Sequence, residues 1–376
     1  MDWDSLLFNA AAFIAGLCLL EYGADAFIDN TAIVARRLGV PETLVALLTA
    51  GAEWEEVFHH ASYYSNRANI PQLAVVIAAI LQHKPRIGLG NVIGSSISNI
   101  LGAFSLGLLF HPGDIVFDRS AKIYTCLLFL VTTGFTIITL TDNLGRAAGV
   151  CFIVVFVVYT LSIVYGIYKG VLDVPEDEES QSDEDEESEG AGFDEMDGTS
   201  EDTVDETTAL LLEGRKGLDN HKPRRSLAWH VLQLLLGFIA LAMSGYVLSH
   251  TAASLASTLH LSNTVIGITI LSFATTLPEK LLSVLSGIRG HGGILVASTA
   301  GSNIFLLTLC LGVIFVVGSG DAKLEAGMVS FEIWTAWASS AILLAIVLVG
   351  GMRWMGAVLL AAYVAFIVLE FTVYRR

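Results

Sequence analysis

Two glutamates stand inside strongly apolar stretches of this sequence, where carboxylates are rare and usually functional. Glu56 is followed by a polar, glycine-rich stretch, GNVIGSSISNILG (90–102). Glu279 is followed by a similar stretch, ASTAGSNIF (297–305). Carboxylate, hydroxyl and amide oxygens are the ligands that a hard cation such as Ca²⁺ prefers, and it takes about six to eight of them. These residue types therefore predict an oxygen-lined cation site inside a membrane, with polar walls that face each other rather than lipid.

The elements that hold these residues are predicted to be membrane-spanning helices. Of the 376 residues, 54% are hydrophobic and only 15% are charged, which is typical of multi-pass membrane proteins rather than of soluble domains. About ten stretches contain the roughly 20 mostly apolar residues that a span requires. The first begins near Met1 and lacks a small-residue cleavage site, so we expect a retained span rather than a signal peptide. The predicted fold class is an all-α membrane protein with ten transmembrane helices.

An acidic segment divides these spans into two groups of five. Residues 173–220 hold 20 acidic and two basic residues, so the rest of the chain is close to neutral although the total net charge is −17. Such a segment is predicted to be disordered. We therefore predict a first five-helix repeat at 1–172, an acidic cytosolic linker at 173–226 and a second five-helix repeat at 227–376. An odd number of spans per half inverts the second half relative to the first, as in inverted-repeat transporters.

The two halves can be aligned on their acidic residues and glycines. Glu279 precedes Gly301 by 22 positions, whereas Glu56 precedes Gly94 by 38. The excess of 16 positions is the length of the stretch VFHHASYYSNRANIPQ (57–72). Without this stretch the first half reads GAEWEELAVVIAAIL, which is one uninterrupted helical pattern.

The stretch 57–72 is an unusual polar insert for a membrane span. Two histidines, an arginine, two asparagines and a proline would lie in hydrocarbon, where an unsatisfied polar group costs on the order of several kcal/mol. Pro71 would also break a helix. One interpretation is a real polar excursion that lines the pathway or an aqueous mouth. The other, which we favour, is a translated intron, since a Val codon begins with GT and a Gln codon can end in AG.

The paired motifs resemble the alpha repeats of the cation/calcium exchanger superfamily, in which G-[TS]-[TS]-x-P-E precedes G-N-x-x-G-S-N-x-x-N. ATTLPEKLLS (274–283) and AGSNIF (300–305) match the second repeat, and LGNVIGSSISNILG (89–102) matches the first. The resemblance covers nearly the whole chain outside the linker. It implies helices that break at mid-membrane and two facing carboxylates, one from each repeat. For Asn91, helix packing and cation contact are both open. The implied cation ligands are Glu56, Ser95, Asn99, Thr275, Thr276, Glu279 and Ser302.

Three departures from the family pattern bear on the counter-ion. GAEWEE (51–56) lacks the usual hydroxyl pair and proline, Leu306 stands where relatives often carry Asn or Asp, and Lys280 follows the second glutamate. Lys280 is expected to point away from the site or to pair with an extra acid of the first repeat. The resemblance implies an antiporter that exchanges Ca²⁺ for H⁺ or Na⁺ by alternating access, and the departures favour H⁺. The alternative is a transport-inactive membrane scaffold or sensor, which the degenerate first motif motivates.

The remaining expectations concern partners and location. We expect no enzymatic activity, since no nucleophile–base set is evident, no resident cofactor and no nucleic-acid partner. Lys and Arg near the predicted cytosolic ends outnumber those on the other side, which agrees with a cytosolic linker. The pattern acid-x-x-x-Leu-Leu in ETTALL (206–211) would bind sorting adaptors, and it favours an internal membrane (vacuole, Golgi or endosome) over the plasma membrane. Kinases could modify the linker at Ser180, Ser182 and Ser188.

Overall fold

Helices make up nearly all of the chain that the computed structural model describes, which comprises residues 3–37, 69–141, 144–168, 227–318 and 329–374. The elements of the first half are α1 (Trp3–Arg37), α2 (Asn69–Leu81), α3 (Pro85–Ile97), the π-helix π1 (Ser98–Phe104), α4 (Ser105–Phe110), α5 (Arg119–Leu140) and α6 (Arg146–Tyr168). Those of the second half are α7 (Leu227–Thr258), α8 (Asn263–Ile266), π2 (Gly267–Leu271), α9 (Ser272–Thr275), α10 (Leu277–Ile288), α11 (Gly292–Phe305), π3 (Leu306–Cys310), α12 (Leu311–Gly318), α13 (Ser330–Val349) and α14 (Arg353–Thr372).

Seven helical runs among the described residues are long and apolar enough to cross a membrane. The helices on the two sides of the break at Thr276 are bent by 48° relative to each other. If they count as one span, they form an eighth membrane-spanning run. Two shorter apolar helices accompany them, α2 and the residues 146–162 of α6. The chain is therefore an all-helical, multi-pass membrane protein. The number of ten spans and the inversion of the halves stay predictions.

The two runs that carry the polar, glycine-rich stretches are the most enclosed of the seven. The run α3–π1–α4 buries 89% of its most apolar window inside the protein and the run α11–π3–α12 buries 78%, whereas α1 buries 17%. The helix α3 packs against α8 and π2, and α10 packs against π1 and α4. The polar stretches therefore face other helices, as the sequence predicts, because lipid could not satisfy their hydroxyl and amide groups.

At an offset of 207 residues, the stretch 69–110 of the first half corresponds to the stretch 276–317 of the second half. α2 ends at Leu81 and α10 ends at the equivalent residue, Ile288. Each of these helices is followed by an equivalent residue with left-handed backbone geometry, His83 with φ 55° and Gly290 with φ 79°. The π-helices π1 and π3 also begin within one position of equivalence. These two stretches thus share one register and similar helix ends.

This match corrects the predicted boundary of the polar insert. The stretch 57–72 was predicted as a polar insert, either a real excursion or a translated intron, and its last four residues, Asn69–Gln72, form the first turn of α2. Pro71 is accommodated there because N–H groups in the first turn of a helix have no intrahelical partner to lose. Residues 57–68, with the histidine pair, lie outside the described residues.

The register of α2 also changes which residue corresponds to the second-half glutamate. Gln72 precedes Gly94 by 22 positions, which is the interval between Glu279 and Gly301. In the structure Gln72 therefore holds the position that the sequence alignment gave to Glu56. Glu56 itself lies outside the described residues.

Close backbone contact between α3 and π2 depends on two glycines. A Cβ atom on Gly90 would lie 2.6 Å from the carbonyl oxygen of Thr264. A Cβ atom on Gly267 would lie 2.7 Å from the carbonyl oxygen of Ile87. Small residues allow membrane helices to approach in this way. The contact holds the polar stretch of α3 against the broken helix of the second half.

We expect Gly267→Ala to lower the free energy of unfolding by about 1–3 kcal/mol, because its methyl group would meet the Ile87 carbonyl in a packed interface. The matched control is Gly134→Ala in α5, where an added Cβ has no neighbour within 4 Å. Alanine there should raise stability by about 0.5–1 kcal/mol through helix propensity. Thermal unfolding in detergent measures both changes, and an unchanged midpoint for Gly267→Ala would contradict the close approach.

Candidate cation site

A break in the helix between α9 and α10 lies at the centre of the candidate site. Thr276 leaves helical geometry, with φ −100° and ψ 14°. Pro278 and Glu279 follow in the first turn of α10, where the missing N–H of proline costs no hydrogen bond. Broken membrane helices free backbone carbonyls for other partners. The carbonyl oxygen of Thr275 illustrates this, since it accepts a hydrogen bond from Gln72 Nε2 at 3.3 Å.

Four buried side chains form a hydrogen-bonded network, the Gln72 network, that joins α2 and α3 to the broken helix. Gln72 Oε1 accepts hydrogen bonds from Asn91 Nδ2 at 2.8 Å and from Ser95 Oγ at 3.4 Å. Thr275 Oγ1 donates to Asn91 Oδ1 at 3.2 Å. The predicted ligands Ser95 and Thr275 thus lie together, and Asn91 takes part in helix packing through its amide. The side chain of Gln72 also lies beside that of Glu279.

Glu279 and Asn99 are buried without the partners that such groups normally have. The side chain of Glu279 is 3% exposed and that of Asn99 is 1% exposed. Neither carboxylate oxygen of Glu279 and neither polar atom of the Asn99 amide forms a hydrogen bond with a described residue. A buried polar group left unpaired costs about 1–3 kcal/mol, and a charged group costs more. A bound cation would offset this cost, so these oxygens fit the predicted cation chemistry.

Lys280 lies in a second group of polar side chains, the Lys280 cluster, with Ser98, Thr276 and Tyr363. Its Nζ donates hydrogen bonds to Ser98 Oγ at 2.7 Å and to Thr276 Oγ1. Ser98 Oγ also lies 3.0 Å from Thr276 Oγ1 and 2.8 Å from the Tyr363 hydroxyl. Thr276, a predicted cation ligand, therefore accepts a hydrogen bond from the Lys280 ammonium group. The alternative pairing of Lys280 with acids of the GAEWEE motif concerns residues outside the described ranges.

The other predicted ligands are less closely connected. Asn99 lies on π1, which packs against α10 and α11. Ser302 is buried on α11, but no hydrogen bond links it to the described members of the Gln72 network or the Lys280 cluster. Glu56 lies outside the described residues. The structure thus brings together Ser95 with Thr275, and it places Thr276 next to Lys280.

The sequence did not indicate three members of these polar groups, Gln72, Ser98 and Tyr363. A signal for Gln72 was present, since Pro71-Gln72 repeats the spacing of Pro278-Glu279 to the following glycine-rich stretch. The alignment without residues 57–72 left out Gln72, so this repeated spacing could not be seen. Ser98 and Tyr363 had no such signal, because a serine within a polar stretch and a tyrosine within an apolar helix are common in membrane proteins.

The net charge around the broken helix is small among the described residues. They contain no group of three or more His, Cys, Asp or Glu side chains that could hold a metal ion. Glu279 supplies one negative charge, Lys280 supplies a positive charge on the next residue, and Gln72 is neutral. Glu21 of α1 acts on Glu279 as a further negative charge. A divalent cation at Glu279 would therefore depend on the Glu279 carboxylate, the nearby charge of Glu21 and neutral oxygens.

A multi-pass helical membrane protein with matching halves and an unpaired carboxylate at a broken helix has the architecture of an ion transporter. Comparison with known proteins gives the family. The model described as sodium/calcium exchanger protein matches residues 8–165 and 229–372, so the chain belongs to that family. It is a family of exchangers, which are transporters and not enzymes.

Full-length relatives and solved structures agree with this assignment. The chain is 25% identical to the putative antiporter CaxA of Alkalimonas amylolytica, over 96% of this chain and 97% of that protein. It is 24% identical to the sodium/calcium exchanger MaX1 of Methanosarcina acetivorans, over 96% and 98% of the two chains. A structure of the sodium-calcium exchanger NCX_Mj superposes with a TM-score of 0.53 at 20% identity, over 96% and 98% of the chains. The last comparison shows that the fold is shared.

We expect Asn91→Leu to destabilise the protein by about 1–3 kcal/mol in total, because it removes two buried hydrogen bonds, one to Gln72 Oε1 and one from Thr275 Oγ1, each worth about 0.5–1.5 kcal/mol. Asn9→Leu is the control, because the hydrogen bonds that Asn9 forms with described residues lie within α1 on a partly exposed face. Thermal unfolding in detergent compares the two variants. Equal effects of both substitutions would show that the Gln72 network does not hold the two halves together.

Proposed function

We propose that the chain is a secondary active antiporter that exchanges Ca²⁺ for H⁺ or Na⁺ by alternating access. The carboxylate of Glu279 carries this proposal, because it is buried at the helix break and has no hydrogen-bond partner among the described residues. Family membership supports antiport, as do the names of two relatives of similar length, an antiporter and an exchanger. Ca²⁺ and its counter-ion would occupy the same carboxylate in turn, so that binding of one requires release of the other.

The proposed transport cycle uses ten spans arranged as two inverted five-helix repeats. The offset of 207 residues and the equivalent left-handed residues support a repeat. The Gln72 network and the Lys280 cluster both join the two halves, since Gln72 and Asn91 form hydrogen bonds with Thr275 of α9 while Ser98 accepts one from Lys280 of α10. Hydrogen bonds among hydroxyl and amide groups can exchange partners, which suits a site that opens alternately to the two sides.

The proposed Ca²⁺ ligands combine carboxylates with neutral oxygens from both halves. Glu56 enters this set in a form of the chain that lacks residues 57–72, because their removal places Glu56 directly before Leu73, at the position that Gln72 occupies here. Ca²⁺ is the transported substrate, and carboxylate, hydroxyl and amide oxygens are its preferred ligands. The full proposed set is Glu56, Ser95, Asn99, Thr275, Thr276, Glu279 and Ser302.

The net charge of the site bears on the choice between the antiporter and a second candidate function. Two unit charges about 4 Å apart interact by about 4 kcal/mol at an effective dielectric constant of about 20. Replacing one of two carboxylates by the amide of Gln72 therefore weakens the attraction for Ca²⁺ strongly, and the charge of Lys280 weakens it further. These two residues favour the second candidate, a transport-inactive membrane scaffold or sensor derived from the exchanger fold.

We also propose an internal membrane, such as that of the vacuole, Golgi or endosome, as the location, with the plasma membrane as the alternative. The acid-x-x-x-Leu-Leu pattern at 206–211 supports this. Sorting adaptors and kinases would act on the acidic linker, which would lie in the cytosol. The hydrophobic residue Leu306 and the neutral Gln72 leave fewer oxygens for Na⁺, so H⁺ is the favoured counter-ion.

The direct test of transport is Glu279→Gln in reconstituted vesicles. An imposed H⁺ or Na⁺ gradient should drive Ca²⁺ uptake by the wild-type chain, and the substitution should reduce uptake to that of protein-free vesicles, because the charged ligand is lost. Glu332→Gln is the matched control, since Glu332 is a buried carboxylate that instead caps α13 by accepting from the Val329 N–H at 3.0 Å. Uptake that survives in Glu279→Gln would refute the proposed role of this carboxylate.

The test of the first-half position is Gln72→Glu in the complete chain, together with deletion of residues 57–72. Each change places a carboxylate opposite Glu279, so each should increase the apparent affinity for Ca²⁺ by about tenfold or more, which corresponds to about 1.4 kcal/mol. Gln82→Glu, one residue beyond the end of α2, is the control. A folded protein that carries no flux in any of these forms would support the scaffold instead.

A further inference from the structure

The Lys280 cluster presents an unusual arrangement, a cation held by neutral oxygens deep inside the protein. The side chain of Lys280 is only 7% exposed. Among the described residues, its Nζ donates hydrogen bonds only to uncharged oxygens: Ser98 Oγ, Thr276 Oγ1 and, at 3.4 Å, the carbonyl oxygen of Thr276. The ring of Phe273 lies beneath the ammonium, with its centroid 4.7 Å away. The attraction of Glu279 adds to this environment from the preceding residue.

Hydroxyl and carbonyl oxygens together with an aromatic face also suit a small monovalent cation. The oxygens come from π1 and from the helix break, and Tyr363 of α14 supports Ser98 from the other side at 2.8 Å. The pocket is therefore built from both halves of the chain. It includes Thr276 and lies next to Glu279, where cation exchange is proposed. An ammonium on a side chain fills this pocket permanently, whereas a free ion would bind and leave.

We propose that the Lys280 ammonium is a tethered cation that occupies a monovalent-ion pocket formed by Ser98, Thr276, Phe273 and Tyr363, and so excludes Na⁺ and K⁺ from it. The role of Lys280 in ion exchange rests on the proposed function. When Ca²⁺ has left, the ammonium partly balances the charge of Glu279, so that no free monovalent ion is needed in this pocket. The occupancy of the pocket itself does not depend on transport.

A structural role for Lys280 makes a different prediction. If the ammonium only bridged Ser98 and Thr276, shortening the side chain would remove hydrogen bonds and would create no affinity for ions. Because burial of a charge is costly, an apolar side chain of similar length could even raise stability. The two roles are distinguished by whether an emptied pocket responds to monovalent cations.

The experiment compares full-length wild-type protein, Lys280→Ala and Lys280→Met by thermal unfolding in detergent, with NaCl or KCl exchanged for choline chloride at constant ionic strength. Lys280→Ala opens the pocket, so about 100 mM Na⁺ or K⁺ should raise its Tm by about 2 °C or more beyond the shift of the wild type. Lys280→Met fills the pocket with an apolar chain and should respond like the wild type. Equal responses of all three proteins would overturn the proposal.

A further variant and a vesicle assay complete this test. If Lys280→Ala does not fold, Lys280→Ser provides the same space with a hydroxyl group, and the same shift is expected. In vesicles, Ca²⁺ uptake by the opened variant should become dependent on Na⁺ or K⁺, while that of Lys280→Met should not. Absence of Ca²⁺ flux in every form, including Gln72→Glu, would refute the antiporter function but not the pocket, which the Tm shift tests separately.

Discussion

A buried carboxylate whose charge is offset only by the adjacent Lys280 among the described residues is the physical constraint on which this structure depends. Glu279 lies at a helix break, 3% exposed, and its oxygens receive no hydrogen bond from the described residues. Removing such a charge from water is expensive unless an opposite charge compensates it. The surrounding helices keep lipid away from it, and the glycines of α3 and π2 allow the polar stretch of the first half to come close.

Two neighbouring side chains adjust how strongly this carboxylate attracts a cation. Gln72 holds the equivalent position in the first half and contributes dipoles but no charge. Lys280 supplies a positive charge on the adjacent residue and directs it toward Ser98 and Thr276. The position of Gln72 is also the position that Glu56 would take without residues 57–72. In the proposed form of the chain that lacks these 16 residues, Glu56 would offer a carboxylate where Gln72 offers an amide.

The sequence predicted the helical class and the enclosed polar stretches, because hydrophobic length and polar composition are local signals, and the family resemblance implied the break in the second half. The sequence did not predict the start of α2, since a proline and two asparagines argue against a span unless the helix begins among them. The contacts of Lys280 could not be predicted either. They depend on Ser98 and Tyr363, which are distant in the chain and meet only through tertiary packing.

The central claim is that the Glu279 carboxylate binds a divalent cation between the two halves of the chain. Crystals of the protein grown with Ba²⁺, a heavy analogue of Ca²⁺, test it most directly through anomalous scattering. We expect a peak within about 3 Å of the Glu279 oxygens, close to the distances of Ca²⁺ ligands. Ba²⁺ bound only elsewhere, or a Glu279 side chain turned toward lipid, would contradict the account.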